Sequence, residues 1–226
     1  MTTQVDIDAL IRSRRKTIAL EITEDARVVV RAPRLVPKAY IDRFLREKQH
    51  WIIQKKAQML QRLQSKPVRR YQHGEEFLLF GERIPLVIDY AASGKLCLRD
   101  GAFCLSAADF TQPERAFEQW YRHTARRHFA ERVEHFAAKH GLHYSKLRLS
   151  SAQKRWGSCS STGTISLSWR LIMAPKHIID YVIVHELAHT RHLDHSARFW
   201  SLVEEMMPDY KPARAWLRRE GHVLCL

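Results

Sequence analysis

Nowhere in these 226 residues does an apolar run reach the roughly 20 residues that a membrane-spanning helix needs. Residues 1–10 carry acidic groups and no signal-peptide pattern, so nothing there directs export. Cysteine is scarce. Cys97, Cys104, Cys159 and Cys225 have no C-x-x-C spacing and form no disulfide framework, which favours packed thiols in a reducing cytoplasm. Cys97 and Cys104 stand where they would face each other across a hairpin turning at Asp100-Gly101. The chain has no G-x-x-x-x-G-K-[ST] phosphate loop, no repeat, no low-complexity linker and no recognised nucleic-acid-binding motif. Acid is in short supply as well: 24 Asp and Glu face 38 Lys and Arg, and the resulting +14 attracts polyanions. These cations are spread along the chain, so they read as solvated helix faces, with a phosphate-rich substrate or a nucleic-acid surface as the functional alternatives.

The hydropathy pattern describes an α+β protein. Residues 17–23 and 27–31 alternate around Glu24-Asp25 as a hairpin ended by Pro33 and Pro37. Residues 38–63 place Tyr40, Ile41, Leu45, Trp51 and Ile52 at helical intervals, predicting one long helix whose aromatic stripe is core. Further hairpins are expected over 77–88 and 96–105. Pro113 suits a first helical turn and Gly141 a stop, so a helix runs between them. Short strands follow at 146–150 and 164–168, and Pro175 opens another helix. This divides the chain into an N-terminal antiparallel β-rich region with one long helix, residues 1–110, and a second region, residues 111–226. The boundary is soft and one domain is the alternative.

His185-Glu186-Leu187-Ala188-His189 supplies the chemistry. Residues four apart on a helix lie one above the other, so His185 and His189 can aim ring nitrogens at one metal about 2 Å away. Glu186 then stands beside the metal, placed to take a proton from water that the metal has acidified. An H-E-x-x-H pentapeptide arises by accident in a chain with 13 histidines, but here Ile178, Ile179, Val182, Ile183, Val184 and Leu187 make the segment apolar nearly all round. Burying two histidines and a glutamate in such a helix without a partner is expensive.

The third ligand is His192 or His195. A continuous helix puts His192 on the face of the first two histidines and His195 roughly 80° away. Residues 191–194 are polar, however, and Asp194 and Ser196 are both suitable N-caps for a new run at Ala197-Arg198-Phe199-Trp200, so a turn is expected that favours His195. His192 is then a turn residue, a group that supports a metal-bound imidazole, or a substrate contact. Asp180 and Asp194 are candidates to hold the far nitrogens of metal-bound imidazoles. Upstream, Arg155 is a candidate for steadying an oxyanion or phosphate, and Gly157 for letting substrate approach the backbone; the competing reading packs Trp156 and turns the chain at Gly157.

Arg155-Trp156-Gly157-Ser158-Cys159-Ser160, the run from Ile165 to Leu171, the run from Ile179 to His189, His195-Ser196 and Phe199-Trp200 together resemble the YgjP-like metal-dependent hydrolases. The resemblance covers most of the chain. It implies a zincin-like minimal core, related in appearance to the SprT and WLM proteases. His185, His189 and His195 would hold zinc or another divalent metal, and Glu186 would be the catalytic carboxylate. Arg155, Trp156, Gly157 and His192 are then the candidate substrate-binding residues. Members of that family are usually classed as metallopeptidases acting on peptides or proteins, and a UTP pyrophosphatase activity has also been associated with them. A basic nucleic-acid-binding module with a structural zinc is the non-catalytic alternative. Oligomeric state leaves no mark on the sequence.

Overall fold

A computed structural model describes residues 6–65, 67–90, 94–153 and 155–226. Residues 1–5 of the acidic start, Lys66 of a basic cluster and Lys154 of the 153–163 connection lie outside the described residues. The chain divides into two compact units, Met1–Lys66 and Pro67–Leu226.

In the first unit, β1 (Ala9–Ser13), β2 (Ala19–Ile22) and β3 (Val28–Pro33) form a sheet in the order β1-β3-β2. The expected hairpin is β2 against β3, antiparallel. Strand β1 was not expected, because its sequence carries no alternation; it pairs parallel to β3, and that pairing is fixed by partners twenty residues away. The Arg12 guanidinium secures it by donating to the carbonyls of Pro33, Arg34 and Val36. The helix expected over 38–63 is two, α1 (Lys38–Glu47) and α2 (Gln49–Ser65), parted at Lys48, which sits at φ −96° and ψ 5°. Neither glycine nor proline marks the break, so periodicity runs through it. The buried face is aliphatic, with Ile41, Leu45 and Ile52 packed on Val28, Val30 and Ala32. Tyr40 and Trp51 are exposed, so the aromatic stripe is not core as expected.

The second unit begins with β4 (Glu76–Leu79), β5 (Glu82–Asp89), β6 (Cys97–Arg99) and β7 (Ala102–Ser106), in the order β4-β5-β7-β6. Both expected hairpins form, and Cys97 pairs with Cys104 in register across β6 and β7 as free thiols. At the β4–β5 turn Phe80 and Gly81 both take positive φ, and their N–H groups donate to the carbonyls of Ile172 and Met173. A Cβ on Gly81 would stand 2.7 Å from Pro175 Cγ. The hairpin is thus docked directly onto the start of the helix that carries the histidines.

Helix α3 (Pro113–His140) starts on Pro113 and ends where Gly141 turns left-handed, at φ 58°. Phe117, Tyr121, Ala125, Phe129 and Val133 recur every fourth residue and are buried. Phe117 stacks on Phe77 with ring centroids 4.1 Å apart, and Tyr121 donates to the Leu78 carbonyl. Those contacts set the α3 stripe against the apolar side of the hairpins.

Strands β8 (Lys146–Ser150), β9 (Gly157–Cys159) and β10 (Thr164–Ser168) make a second small sheet, β8-β10-β9, with β8 parallel and β9 antiparallel to β10. Helices α4 (Lys176–Ala188), α5 (Ala197–Met206) and α6 (Tyr210–Glu220) complete the unit. Helix α4 is buried nearly all round, as its composition requires. Arg132 clamps it to α3 through a two-pronged ion pair with Asp180, at 2.7 and 2.9 Å. Asp180 is therefore committed to packing and does not hold an imidazole. The result is the α+β architecture expected from the sequence. Among the described residues no helix is long and apolar enough to cross a membrane.

Candidate metal centre

His185 lies on the last turn of α4 and His189 is its C-cap, so one helical turn aligns the two rings. The chain then turns: the N–H of His192 reaches back to the Ala188 carbonyl, and Thr190 Oγ1 donates to Leu187. Asp194 accepts the N–H of Ser196, which shapes the bend before α5. His195 returns over α4. Its Nε2 stands 3.1 Å from Nε2 of His185, and one nitrogen from each of His185, His189 and His195 lies within 4.8 Å of the others.

Two imidazole nitrogens at that distance either share a proton in a hydrogen bond or turn both lone pairs on one cation. Four ligands around a zinc at about 2.05 Å stand roughly 3.3 Å apart, so the cluster has the dimensions of such a site. Tautomer supports the same reading. The His189 Nδ1 lies 2.9 Å from the His192 carbonyl, and donating to it turns the free Nε2 lone pair inward. His192 thus serves through its backbone, while its side chain lines a surface hollow with Arg191, Arg198 and Ser201. Burial, reinforced by the charges of His189, His195 and Arg214, pushes His185 down to about 3, so its ring is neutral and able to donate its lone pair. Burial also lowers His195. The residues present fit a divalent cation bound by three nitrogens with one position left for water or substrate.

Glu186 is 5% exposed. Burial raises its carboxyl to about 8, and the Arg155 guanidinium pulls the other way. It abuts β9 so closely that a Cβ on Gly157 would lie 2.5 Å from Glu186 Oε1 and 2.6 Å from Cγ. Gly157 is therefore the residue that makes room for the carboxylate, a closer role than the backbone approach expected from sequence. Trp156 turns the other way, against Gly221, and packs on the core. Burial and the neighbouring Glu186 raise the Cys159 thiol, which suits a packed thiol and not a nucleophile.

Strand β9 closes one edge of its sheet. Its pairing with β10 uses Trp156, Ser158 and Ser160, whose backbone groups bond to Ser168, Ser166 and Thr164. Alternation then leaves the N–H and C=O of Gly157 and Cys159 on the outer edge, beside Glu186.

Sequence reasoning missed the aromatic wall. Phe199 lies against all three imidazoles, at centroid distances of 4.9, 4.5 and 4.9 Å. Its position four residues after His195 was the available signal. Trp200 stacks on His195 at 28° and on Tyr210 at 18°, and Arg214 covers the same indole. Tyr210 and Arg214 come from another helix, and nothing in the sequence ties Arg214 to the histidines.

A family model described as YgjP-like, metallopeptidase domain, matches residues 16–220. No curated protein matches the chain. Among solved structures, the metallopeptidase zymogen abylysin of Pyrococcus abyssi is similar at 24% identity, with 40% of this chain and 93% of that one covered and a TM-score of 0.36. The metallopeptidase zymogen jannalysin of Methanocaldococcus jannaschii is similar at 15% identity, with 41% and 95% covered and a TM-score of 0.37.

Proposed function

This chain belongs to the YgjP-like metallopeptidase domain family and is a metal-dependent hydrolase, and from that premise we propose that it is a zinc peptidase whose general base is Glu186. Three imidazoles suit zinc among the divalent ions, with His185, His189 and His195 as the holders. When bound, the ion supplies Lewis-acid polarisation of water and of the substrate carbonyl, and its charge favours the ionised form of Glu186. Glu186 takes a proton from the attacking water on its carboxylate oxygen as the water oxygen bonds to the carbonyl carbon. It then delivers that proton to the departing amine nitrogen as the C–N bond breaks. Arg155, on the Glu186 side, steadies negative charge on the attacked carbonyl oxygen.

The observation that carries the peptide reading is the strand edge. Gly157 and Cys159 offer unpaired backbone donors and acceptors directly beside Glu186, as an extended peptide requires. Diphosphate hydrolysis, with UTP as substrate, draws only on the guanidiniums near the site; the described residues include no phosphate-cradling loop beside it. A nucleic-acid role rests on dispersed positive charge alone. The unbridged thiols of Cys97, Cys104 and Cys159 agree with a cytoplasmic setting.

The test is a Glu186→Gln variant loaded with zinc. We expect zinc content by elemental analysis equal to wild type and peptide cleavage down by about a thousandfold or more, within the range that general-base catalysis supplies. Undiminished cleavage in that variant would overturn the role of Glu186. Pyrophosphate release from UTP by wild type, with no peptide cut, would overturn the peptidase reading.

A further inference from the structure

We propose that Arg214 is a specificity-determining residue that binds a carboxylate of the substrate, an acidic side chain or a free C-terminus, lying a few residues from the scissile bond. This rests on the peptidase reading and adds a substrate class to it.

Two observations converge on Arg214. First, its guanidinium lies over the Trp200 ring, with Cζ 4.4 Å from the centroid. Trp200 in turn is 5.8 Å from both His185 and His195, centroid to centroid, so a single indole separates the cation from the imidazole cluster. Second, the cation has no internal anion. On the same helix, Lys211 is paired with Glu204 and Arg219 with Glu220, and on α3 Arg132 and Arg122 are paired with Asp180 and Glu118. Among the described residues Arg214 meets no carboxylate, and it is exposed.

The chemistry of the arrangement selects a carboxylate. A guanidinium held over an indole gives up less entropy on binding than a free one, and its fork matches the two oxygens of a planar carboxylate. An unpaired cation beside a metal site repels cationic substrate segments by the same field. Reach also agrees. An extended peptide advances about 3.3 Å per residue, so two or three residues span the width of the indole.

The experiment separates this inference from the peptidase reading by measuring binding without turnover. Zinc-loaded full-length Glu186→Gln protein is titrated calorimetrically with matched peptides carrying Glu or Gln at one position, each with a free or an amidated C-terminus. We expect a carboxylate-bearing peptide to bind at least about tenfold tighter than its neutral counterpart, as charge-assisted recognition gives. The free-against-amidated arms tell a terminal from a side-chain carboxylate. Adding Arg214→Gln should bring the ratio to near one, Arg214→Lys should restore part of it, and Arg219→Gln, which removes the same charge from the other ion-paired end of α6, should leave it intact. Equal binding of acidic and neutral peptides, or an Arg219→Gln variant that loses the preference as fully as Arg214→Gln, overturns the proposal. So does Arg214-dependent binding of UTP with no carboxylate preference. Peptide cleavage by the wild-type enzyme is scored separately, so a failed peptidase reading is recognised as such.

Discussion

His192 and His195 show how a single residue's role depends on the path of the chain. Helical periodicity aligns His192 with His185 and His189, yet the turn after Ala188 spends His192 on orienting its neighbour and returns His195 to the cluster. The two roles predict different losses. His195→Ala removes a nitrogen donor and should weaken zinc binding by more than about a hundredfold in a chelator competition. His192→Ala leaves the carbonyl that His189 addresses and should change affinity by less than about threefold, inside the ordinary scatter of a surface substitution. Equal losses in the two variants would remove the distinction. The HExxH residues themselves were legible because the spacing alone decides which ring faces which. The donor and acceptor of the third ligand were not, because a turn of five residues can redirect a side chain without any change in composition.

At the scale of elements, the contact between β9 and α4 is the tightest constraint on the chemistry. A three-residue strand of small polar residues has no periodicity to announce it, so the segment 153–163 read as a connection. It is a strand because β10 supplies partners for alternate residues. Gly157→Ala tests the contact. The added methyl would fall within 2.7 Å of three Glu186 side-chain atoms, so the carboxylate must shift to admit it. We expect the variant to keep its zinc, to lose about 1–3 kcal/mol of stability in urea titration, as overpacking costs, and to lose about a hundredfold in peptide turnover through displaced geometry. Normal turnover would show that Glu186 has room to shift. The division of the long helix at Lys48 belongs to this scale too: local propensity is satisfied on both sides of the break, and only the fit of Ile41, Leu45 and Ile52 to the small sheet reveals where the faces lie.

Stability against pH is a property of the whole molecule, and Glu186 gives it a sign. Its carboxyl is raised from 4.5 to about 8 in the metal-free fold, so between those values the native state holds a proton that the unfolded chain has released. The stabilisation is complete below pH 4.5 and is lost as pH rises through 8. Metal-free protein should therefore show a melting temperature pulled downward by this group from pH 5 to pH 8, and Glu186→Gln should make the slope over that interval more positive. A slope identical in the two proteins would place the carboxyl elsewhere. Zinc should raise the melting temperature of the wild type with its concentration, because the folded cluster binds the ion and the unfolded chain holds its histidines far apart.

The sequence by itself determined the α+β class, the apolar helix that carries His185, Glu186 and His189, the helix stop at Gly141 and the helix start at Pro175, and the family. These follow from local periodicity, from backbone limits on proline and glycine, and from motifs whose spacing is fixed by one helical turn. Only the tertiary structure decided that His195 closes the cluster, that Gly157 makes space for Glu186, that the hairpins pack with α3 and not apart from it, and that Arg214 stands over Trp200 beside the metal centre. Each of those is a meeting of residues distant along the chain. Such meetings are set by burial and close packing, which no local window of sequence records.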